Sequence, residues 1–166
     1  LYCNEQSDIE SYTKVYVPTN GWTSNLSASG YRLPTETEWY KASAWVYATN
    51  TYGFKIYGTG QDTLSKNEIN YFDSGDDFEG NAVRTAPVGS YDSESPYELK
   101  DASGNVWEWC QGFYDSAGSD PDVDAHAARG GSWANIASDI EATSRNGFKP
   151  DMALSTVGFR LLRVNQ

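Results

Sequence analysis

The sequence predicts a loop-rich α+β domain, and three observations support that prediction. The chain has 166 residues, which is enough for one domain and too few for two sizeable cores. Helical signals are few and early, whereas from about residue 47 Gly, Asn, Asp and Ser recur every few residues, as is typical of loops and short strands. Aromatic residues make up 14% of the chain, too many for a disordered acidic polymer.

The clearest helix signal is a capping box. Thr35 and Glu38 stand three residues apart, a hydroxyl followed by a carboxylate, and apolar residues continue at helical spacing beyond them. We therefore predict a helix over residues 36–46. Residues 1–6 are predicted to be the tail of another helix, and the alternation in residues 158–164 favours a closing strand.

The charge balance narrows the function classes. Twelve Lys and Arg against 23 Asp and Glu give a formal net charge of −11, so we expect neither nucleic-acid binding nor docking on an anionic membrane. No run of about 18 apolar residues occurs, and membrane insertion by this chain is not expected. One His and two Cys cannot form a four-ligand zinc site, and a histidine-based triad would have to use His126 alone.

Several short motifs occur in a characteristic order along the chain. They are residues 31–39 (YRLPTETEW), 85–90 (TAPVGS), 104–110 (GNVWEWC), and 129–133 (RGGSW) followed by 158–160 (GFR). In this order and spacing they resemble the formylglycine-generating enzyme family, also called the sulfatase-modifying factor family. The resemblance implies a C-type-lectin-like fold with short helices and small antiparallel sheets. It also implies that residues 1–166 form a single domain that lacks the family's N-terminal portion.

The resemblance separates fold from activity. It implies that oxidase members of the family bind copper through two cysteines just after the Gly-Gly-Ser motif, and the matching positions here are Asn135 and Ile140. Neither side chain supplies the soft thiolate that copper(I) needs, so we expect no copper and no catalytic residue. The sequence leaves open whether the remaining cysteines, Cys3 and Cys110, form a disulfide.

A further branch with this fold fits the remaining facts better. Variable proteins of diversity-generating retroelements resemble the chain in its last segment, which implies a diversified ligand-binding segment at residues 129–163. The candidate ligand-binding residues are Trp133, Ala134, Asn135, Ile136, Ser138, Asp139, Asn146, Gly147, Phe148, Leu154 and Ser155. We expect seven of them to be solvent-accessible on one surface, namely Asn135, Ile136, Ser138, Asp139, Phe148, Leu154 and Ser155. Ser132, Arg145 and Arg160 are expected to be buried scaffold residues with satisfied donors.

The resemblance also implies a calcium loop at residues 101–108. Carried over position by position, the ligands are the side chains of Asp101 and Glu108 and the carbonyls of Ser103 and Val106. The alternative for Glu108 is that it caps backbone amides or pairs with an Arg such as Arg160.

The leading functional interpretation is non-catalytic binding of a protein or surface ligand. Trp133 and Phe148 would be its apolar anchors. Residues 107–109 form a Trp-Glu-Trp string, for which we predict core packing rather than a stacking platform for a base or sugar. The alternatives are an oxidoreductase of the formylglycine-generating or sulfoxide-synthase type and a degenerate structural subunit. We expect the cell surface or a phage particle as the location.

Overall fold

The computed structural model describes residues 2–19, 21–48, 51–65, 67–75, 85–115 and 125–163. It contains α1 (Tyr2–Ile9), β1 (Tyr16–Thr19), β2 (Gly21–Ser24), β3 (Tyr31–Arg32), α2 (Glu36–Ala44), β4 (Trp45–Ala48), β5 (Thr51–Phe54), β6 (Trp107–Phe113), β7 (His126–Arg129), a 3₁₀ helix (Ala137–Ile140), β8 (Arg145–Phe148), β9 (Val157–Gly158) and β10 (Leu162–Arg163). The predicted α+β, loop-rich class is confirmed. The chain divides into two compact units, Leu1–Pro34 with Arg160–Gln166, and Thr35–Phe159.

The first unit joins the two ends of the chain. Strand β3 pairs antiparallel with β10, while β1 and β2 form a hairpin. Ser7, on α1, donates its hydroxyl to the Cys3 carbonyl at 2.9 Å and accepts the Tyr31 amide at 3.0 Å, which ties the helix to β3. The helix predicted from residues 1–6 is therefore present and extends to Ile9.

Helix α2 opens the second unit with the predicted capping box. The Thr35 hydroxyl accepts the Glu38 amide at 3.3 Å, and a Glu38 carboxylate oxygen accepts the Thr35 amide at 2.9 Å. The helix ends at Ala44 rather than at residue 46, because Trp45 is extended and begins β4, which pairs with β5. Pairing with a partner strand overrides the helical spacing of the last two predicted residues.

A four-stranded sheet carries the candidate site. Its strand order is β8-β7-β6-β9, with β6 and β9 parallel and the other pairs antiparallel. Trp39 of α2 packs against this sheet in a core with Ala102, Cys110 and Ala127. The closing strand predicted for residues 158–164 is wrong as a single element, because the structure has two short strands, β9 and β10, one in each unit. Residue 164 lies outside the described residues.

The Gly-Gly-Ser motif makes a tight bend after β7. Gly130 and Gly131 have φ of +92° and +73°, in the left-handed region that side chains with a Cβ rarely adopt. A Cβ on Gly131 would also lie 2.6 Å from a methyl group of Ile140. The motif therefore lets the 3₁₀ helix approach the sheet closely.

Candidate functional site

A cavity of about 320 Å³ is lined mainly by residues of segment 129–163, which the sequence predicts to bind a ligand. Its lining consists of Trp107, Asn135, Asp139, Ser144, Arg145 and Asn146, and we call it the Trp107 cavity. Asn135, Asp139 and Asn146 belong to the predicted ligand-binding set. Trp107 and Ser144 were not assigned to the site, and Arg145 was assigned to the scaffold.

Trp107, on strand β6, is one of the residues that line the cavity. Its side chain is buried, and its indole Nε1 donates to Asn135 Oδ1 at 2.9 Å. The ring of Phe148 meets Trp107 and Trp109 edge to face, with centroids 6.1 and 5.9 Å apart. Trp107 and Glu108 are buried and Trp109 is partly buried, which agrees with core packing of the Trp-Glu-Trp string.

Asn135 is a fixed clamp rather than a freely varying residue. Its Oδ1 accepts not only the Trp107 indole but also the Ser132 amide at 3.1 Å and the Ser132 hydroxyl at 2.6 Å. Its backbone carbonyl accepts the Phe72 amide at 2.9 Å. Replacing Asn135 would leave the Trp107 indole and the buried Ser132 without their acceptor, so we expect little variation at this position, and its predicted role in ligand binding stays a prediction.

Arg145 lies at the edge of the sheet with its donors directed to fixed partners. Its Nε and Nη2 donate to Glu36 at 3.0 and 2.9 Å, and Nη2 also donates to the Tyr114 carbonyl at 2.6 Å. The guanidinium lies 4.3 Å from the centroid of the Tyr114 ring. The prediction that Arg145 is buried is wrong, because its side chain is 40% exposed on the outermost strand, β8. Ser132 is buried as predicted, and Arg160 is partly buried in the first unit.

Glu36 binds two arginines at once. One of its oxygens accepts from Arg129 Nε at 2.8 Å as well as from Arg145, and Arg129 Nη1 donates to the Thr143 carbonyl at 3.0 Å. Burial raises the pKa of Glu36, but the hydrogen bonds and charges of Arg145 and Arg129 outweigh it and hold that pKa below its ordinary value. The hydrogen bond to Glu36 in turn raises the pKa of Arg145. The first residue of α2 is thereby fixed to strands β7 and β8.

The predicted ligand-binding residues are all at least partly accessible. Six are exposed, namely Ala134, Ile136, Ser138, Asp139, Asn146 and Ser155, and five are partly buried, namely Trp133, Asn135, Gly147, Phe148 and Leu154. The indole of Trp133 donates to the Ser155 carbonyl at 3.4 Å.

Gly147 cannot contribute a varied side chain without rearrangement. A Cβ at this position would lie 2.6 Å from the first ring carbon of Tyr114 and 2.8 Å from its Cβ. Those atoms are close to the Tyr114 backbone and cannot swing away as the tip of a long side chain can. Close packing of β8 against Tyr114 therefore disfavours a larger residue at Gly147, whose predicted ligand-binding role stays a prediction.

Side chains of the predicted calcium loop, residues 101–108, accept hydrogen bonds from neighbouring segments of the chain. Asp101 Oδ2 accepts the Gly89 amide at 2.7 Å, and the Ser103 hydroxyl accepts the Gly58 amide at 2.8 Å. Glu108 is buried and accepts the Trp39 indole at 2.6 Å, a partner that neither sequence alternative named. Among the residues that the structure describes, no three His, Cys, Asp or Glu side chains cluster as they would around a metal ion. A calcium ion at this loop would share Asp101 and Glu108 with these N–H donors.

The side chain of Asn105 explains why two of the sequence motifs occur together. Its Oδ1 accepts the Ala86 amide at 3.0 Å and its Nδ2 donates to the Ala86 carbonyl at 3.2 Å. These two hydrogen bonds join the 85–90 motif to the 104–110 motif. The Asn105 side-chain amide bonds both backbone groups of Ala86, as a neighbouring strand would. Asn105 itself has φ of +59°, a conformation that Asn adopts more readily than most residues.

The two cysteines, and the residues Asn135 and Ile140 that the resemblance aligns with the copper ligands, have packing or hydrogen-bonding contacts in the structure. Neither Cys3 nor Cys110 is in a disulfide, so the pairing that the sequence left open is not formed. Burial raises the pKa of the Cys3 thiol, and Cys110 is buried in the core. Ile140 is wholly buried beside Gly131, and Asn135 is the clamp described above.

Comparison with known proteins identifies the family. The model of the sulfatase-modifying factor enzyme 1-like domain matches residues 2–165. The chain belongs to this family. It is 32% identical over 155 residues to the inactive C-alpha-formylglycine-generating enzyme 2 of Bos taurus, a match that covers 88% of this chain and 48% of the relative. The chain spans 21% to 51% of the length of the curated relatives it matches.

Two solved structures confirm the predicted fold. That of CarF aligns with a TM-score of 0.74 at 28% identity, covering 99% of this chain and 63% of that one. That of Treponema denticola variable protein 1 aligns with a TM-score of 0.73 at 24% identity, covering 96% of this chain and 66% of that one. This family domain thus has the formylglycine-generating-enzyme type of C-type-lectin-like fold. In the described ranges, no helix combines the length and the apolar character needed to cross a bilayer.

Proposed function

We propose that this family domain is a non-catalytic ligand-binding protein whose binding face surrounds the Trp107 cavity. The observation that carries the proposal is the convergence of Asn135, Asp139 and Asn146 on one cavity. These residues come from a turn, a 3₁₀ helix and a strand, and they line the cavity together with Trp107 and Arg145. A concave site with convergent polar groups is the usual form of a ligand-binding site.

The residues at the two copper positions support the absence of catalysis. Oδ1 of Asn135 is engaged by three donors, and Ile140 is an apolar side chain with no exposed surface. Neither can deliver a thiolate to copper or to oxygen chemistry. One of the matched relatives also carries the name of an inactive enzyme.

Exposed residues around the cavity supply positions that can change at little cost. Ile136 is 55% exposed, and Ala134, Ser138 and Ser155 are exposed as well. Substitutions at such positions usually alter the free energy of unfolding by within about 0.5 kcal/mol. Phe72, whose amide is bonded to Asn135, is also exposed, so it and Ile136 are better placed as apolar anchors than the partly buried Phe148.

A display experiment tests the binding face. A library randomised at Ala134, Ile136, Ser138 and Ser155 should remain folded and yield specific binders when it is selected against a panel of purified proteins. A control library randomised at Asn135 and Gly147 should lose most of its folded members. The proposal fails if the first library unfolds as often as the control, or if it gives no binder to any target.

The diversification itself has a genomic test. We propose that the coding segment for residues 133–160 is the variable region of a retroelement. A near-copy that differs only at adenines should then lie beside a reverse-transcriptase gene. A locus that has neither the near-copy nor the reverse transcriptase would contradict this part of the proposal, although not ligand binding as such.

Absence of the oxidase reaction can be measured directly. A sulfatase-type cysteine peptide incubated with the protein and copper should show no aldehyde by mass spectrometry above a protein-free blank. Conversion above that blank would favour the alternative of a formylglycine-generating oxidoreductase.

We also propose that the loop at residues 101–108 holds calcium. Of the two carboxylates of the predicted set, Asp101 lies in the irregular loop before β6 and Glu108 is the second residue of that strand, and calcium prefers such oxygen ligands. A chelator should lower the Tm, because an ion at 100 times its Kd stabilises the native state by about 2.7 kcal/mol. Asp101→Asn should remove the effect, whereas Asp151→Asn, at an exposed position elsewhere, should not. An unchanged Tm together with no metal by elemental analysis would eliminate the site.

A further inference from the structure

The lining of the Trp107 cavity includes one cationic residue, Arg145, and one anionic residue, Asp139. Arg145 comes from β8 and Asp139 from the 3₁₀ helix, and both line the same volume of about 320 Å³. The other polar groups of the lining, Asn135, Ser144 and Asn146, are neutral. A ligand with a single charge would meet one group of like sign, whereas a ligand that carries both charges, set apart, complements both.

Arg145 retains unused donors although it is held firmly. Glu36 and the Tyr114 carbonyl take Nε and Nη2, while Nη1 has no hydrogen-bond partner in the described part of the chain. Asp115, the residue after Tyr114, adds a further attraction to the guanidinium. Because these partners fix the planar guanidinium, binding a carboxylate at Nη1 costs little side-chain ordering.

Asp139 retains unused acceptors. Its Oδ1 lies 3.5 Å from the Ser138 hydroxyl, which is at the limit of a hydrogen bond, and Oδ2 has no partner among the residues described. Its backbone is fixed, since the Asp139 amide donates to the Ile136 carbonyl at 2.9 Å within the 3₁₀ turn. An ammonium group, which has three donors and no acceptor, matches such a carboxylate.

Trp107 and the size of the cavity restrict the ligand further. The indole N–H of Trp107 is taken by Asn135, so Trp107 presents only its ring to the cavity. A volume of this size lies at the small end of ligand sites, which span about 300 to 1,000 Å³. We infer that the Trp107 cavity binds a small zwitterion of the free α-amino acid class, with the carboxylate on Arg145 Nη1 and the ammonium group on Asp139. The inference rests on the proposed binding function and names the ligand of the cavity within that face.

Ligand-observed NMR with free amino acids tests the inference. Each proteinogenic L-amino acid is offered at about 10 mM, and the best binder is compared with its C-terminal amide and its N-acetyl derivative. At least one amino acid should bind, and each derivative should bind about tenfold more weakly or worse, because each lacks one of the two charges. The inference is overturned if no amino acid binds, or if the derivatives bind as well as the parent.

Matched variants locate the binding. Asp139→Asn, at an exposed position that leaves the Glu36–Arg145 contact intact, should abolish the preference for the free amine over the N-acetyl derivative. Asp151→Asn makes the same chemical change in the same segment outside the cavity lining and should bind like the wild type. Unaltered discrimination in Asp139→Asn, with an unaltered Tm, would overturn the assignment to this cavity.

Failure of the inference and failure of the proposed function give different results. Selection of protein binders from the library at residues 134, 136, 138 and 155 does not depend on the cavity charges. If that selection succeeds while no amino acid binds, the zwitterion inference alone is wrong. If amino acids bind and the selection gives nothing, the diversified face is wrong and the small-molecule site remains.

Discussion

The β4–β5 hairpin and residues 132–148 both expose side chains from the second unit, but different forces hold them. In the hairpin, Tyr52 and Phe54 are 68% and 54% exposed and contact other rings. Tyr40 stacks on Phe54 with centroids 4.9 Å apart, and Trp45 meets Tyr52 edge to face at 5.7 Å. In residues 132–148 the side chains of Asn135 and Arg145, which line the cavity, are instead fixed by directional hydrogen bonds.

This difference shows that exposure alone does not define a variable surface. A ring contact is nearly non-directional, so one aromatic residue can replace another with small loss. A carbonyl oxygen that satisfies an indole and a hydroxyl has no substitute of the same geometry. We therefore expect partly exposed Asn135 to be less tolerant of substitution than more exposed hairpin residues such as Tyr52.

The largest effect should come from Asn135→Ala. The substitution leaves the Trp107 indole and the Ser132 amide and hydroxyl without an acceptor, which should lower the free energy of unfolding by about 2–4 kcal/mol. Ser138→Ala, at an exposed position three residues on, should change it by within about 0.5 kcal/mol. Denaturant unfolding measures the stability of both variants. Equal stabilities would contradict the expectation that Asn135 is fixed and Ser138 is not.

Two glycine substitutions test the difference in packing between the hairpin and residues 132–148. Gly147→Ala places a Cβ against the Tyr114 ring and should cost about 1–3 kcal/mol through overpacking. Gly53→Ala in the hairpin places its Cβ 3.5 Å from a Val46 methyl group, an ordinary contact, and should be close to neutral. Thermal melts of the pair decide the matter, and a larger loss for Gly53→Ala would contradict our account of the two regions.

Glu36→Gln should weaken the polar region in a pH-dependent way. It should cost about 1–2 kcal/mol at neutral pH, a figure already reduced for solvent screening of the half-exposed Arg145. Because the pKa of Glu36 is lowered on folding, its stabilisation is present above the ordinary value of 4.5 and is lost as the pH falls through the lower, folded value.

The stability difference between wild type and Glu36→Gln should therefore shrink in acid. Urea unfolding at a series of pH values measures it. Glu5→Gln, at an exposed position of α1, should show no comparable difference at any pH. A difference that stays constant down to low pH would contradict the assigned linkage.

The smallest effect should come from Tyr52→Phe. This change keeps the ring contacts with Trp45 and Tyr47 and should alter stability by within about 0.5 kcal/mol. Tyr52→Ala, which removes both ring contacts, should cost about 1 kcal/mol by the same measurement. A large loss for the Phe variant would mean that the hairpin, too, depends on directional bonds.

Local sequence signals predicted those features whose partners are close in the chain. The capping box of α2 needs only Thr35 and Glu38, and it is formed as predicted. The family fold was predicted from motifs that occur in a characteristic order. Two of these motifs, residues 85–90 and 104–110, are joined in the structure by the hydrogen bonds between Asn105 and Ala86. The helix end was missed by two residues, because β5 pairs with Trp45 and Val46.

The features that sequence reasoning missed depend on distant partners. Asn135 is fixed by Trp107, which lies 28 positions earlier, and no local pattern signals that bond. Arg145 was expected to be buried because its donors needed partners, yet Glu36 satisfies it at the surface. The tight contact between Gly147 and Tyr114 likewise arises only when β8 is packed in the sheet. Spacing along the chain therefore predicted a candidate segment but could not separate the positions in it that are fixed by hydrogen bonds or close packing from those that are exposed.

The contacts of Glu36 also have a consequence for folding kinetics. Its carboxylate joins residues 93 and 109 positions further along the chain, so these bonds form only after long loops have closed. An interaction that is made only after the rate-limiting step acts on the rate of unfolding rather than on the rate of folding. If its two ion pairs form this late, Glu36 slows unfolding and lengthens the lifetime of the native state without speeding its formation.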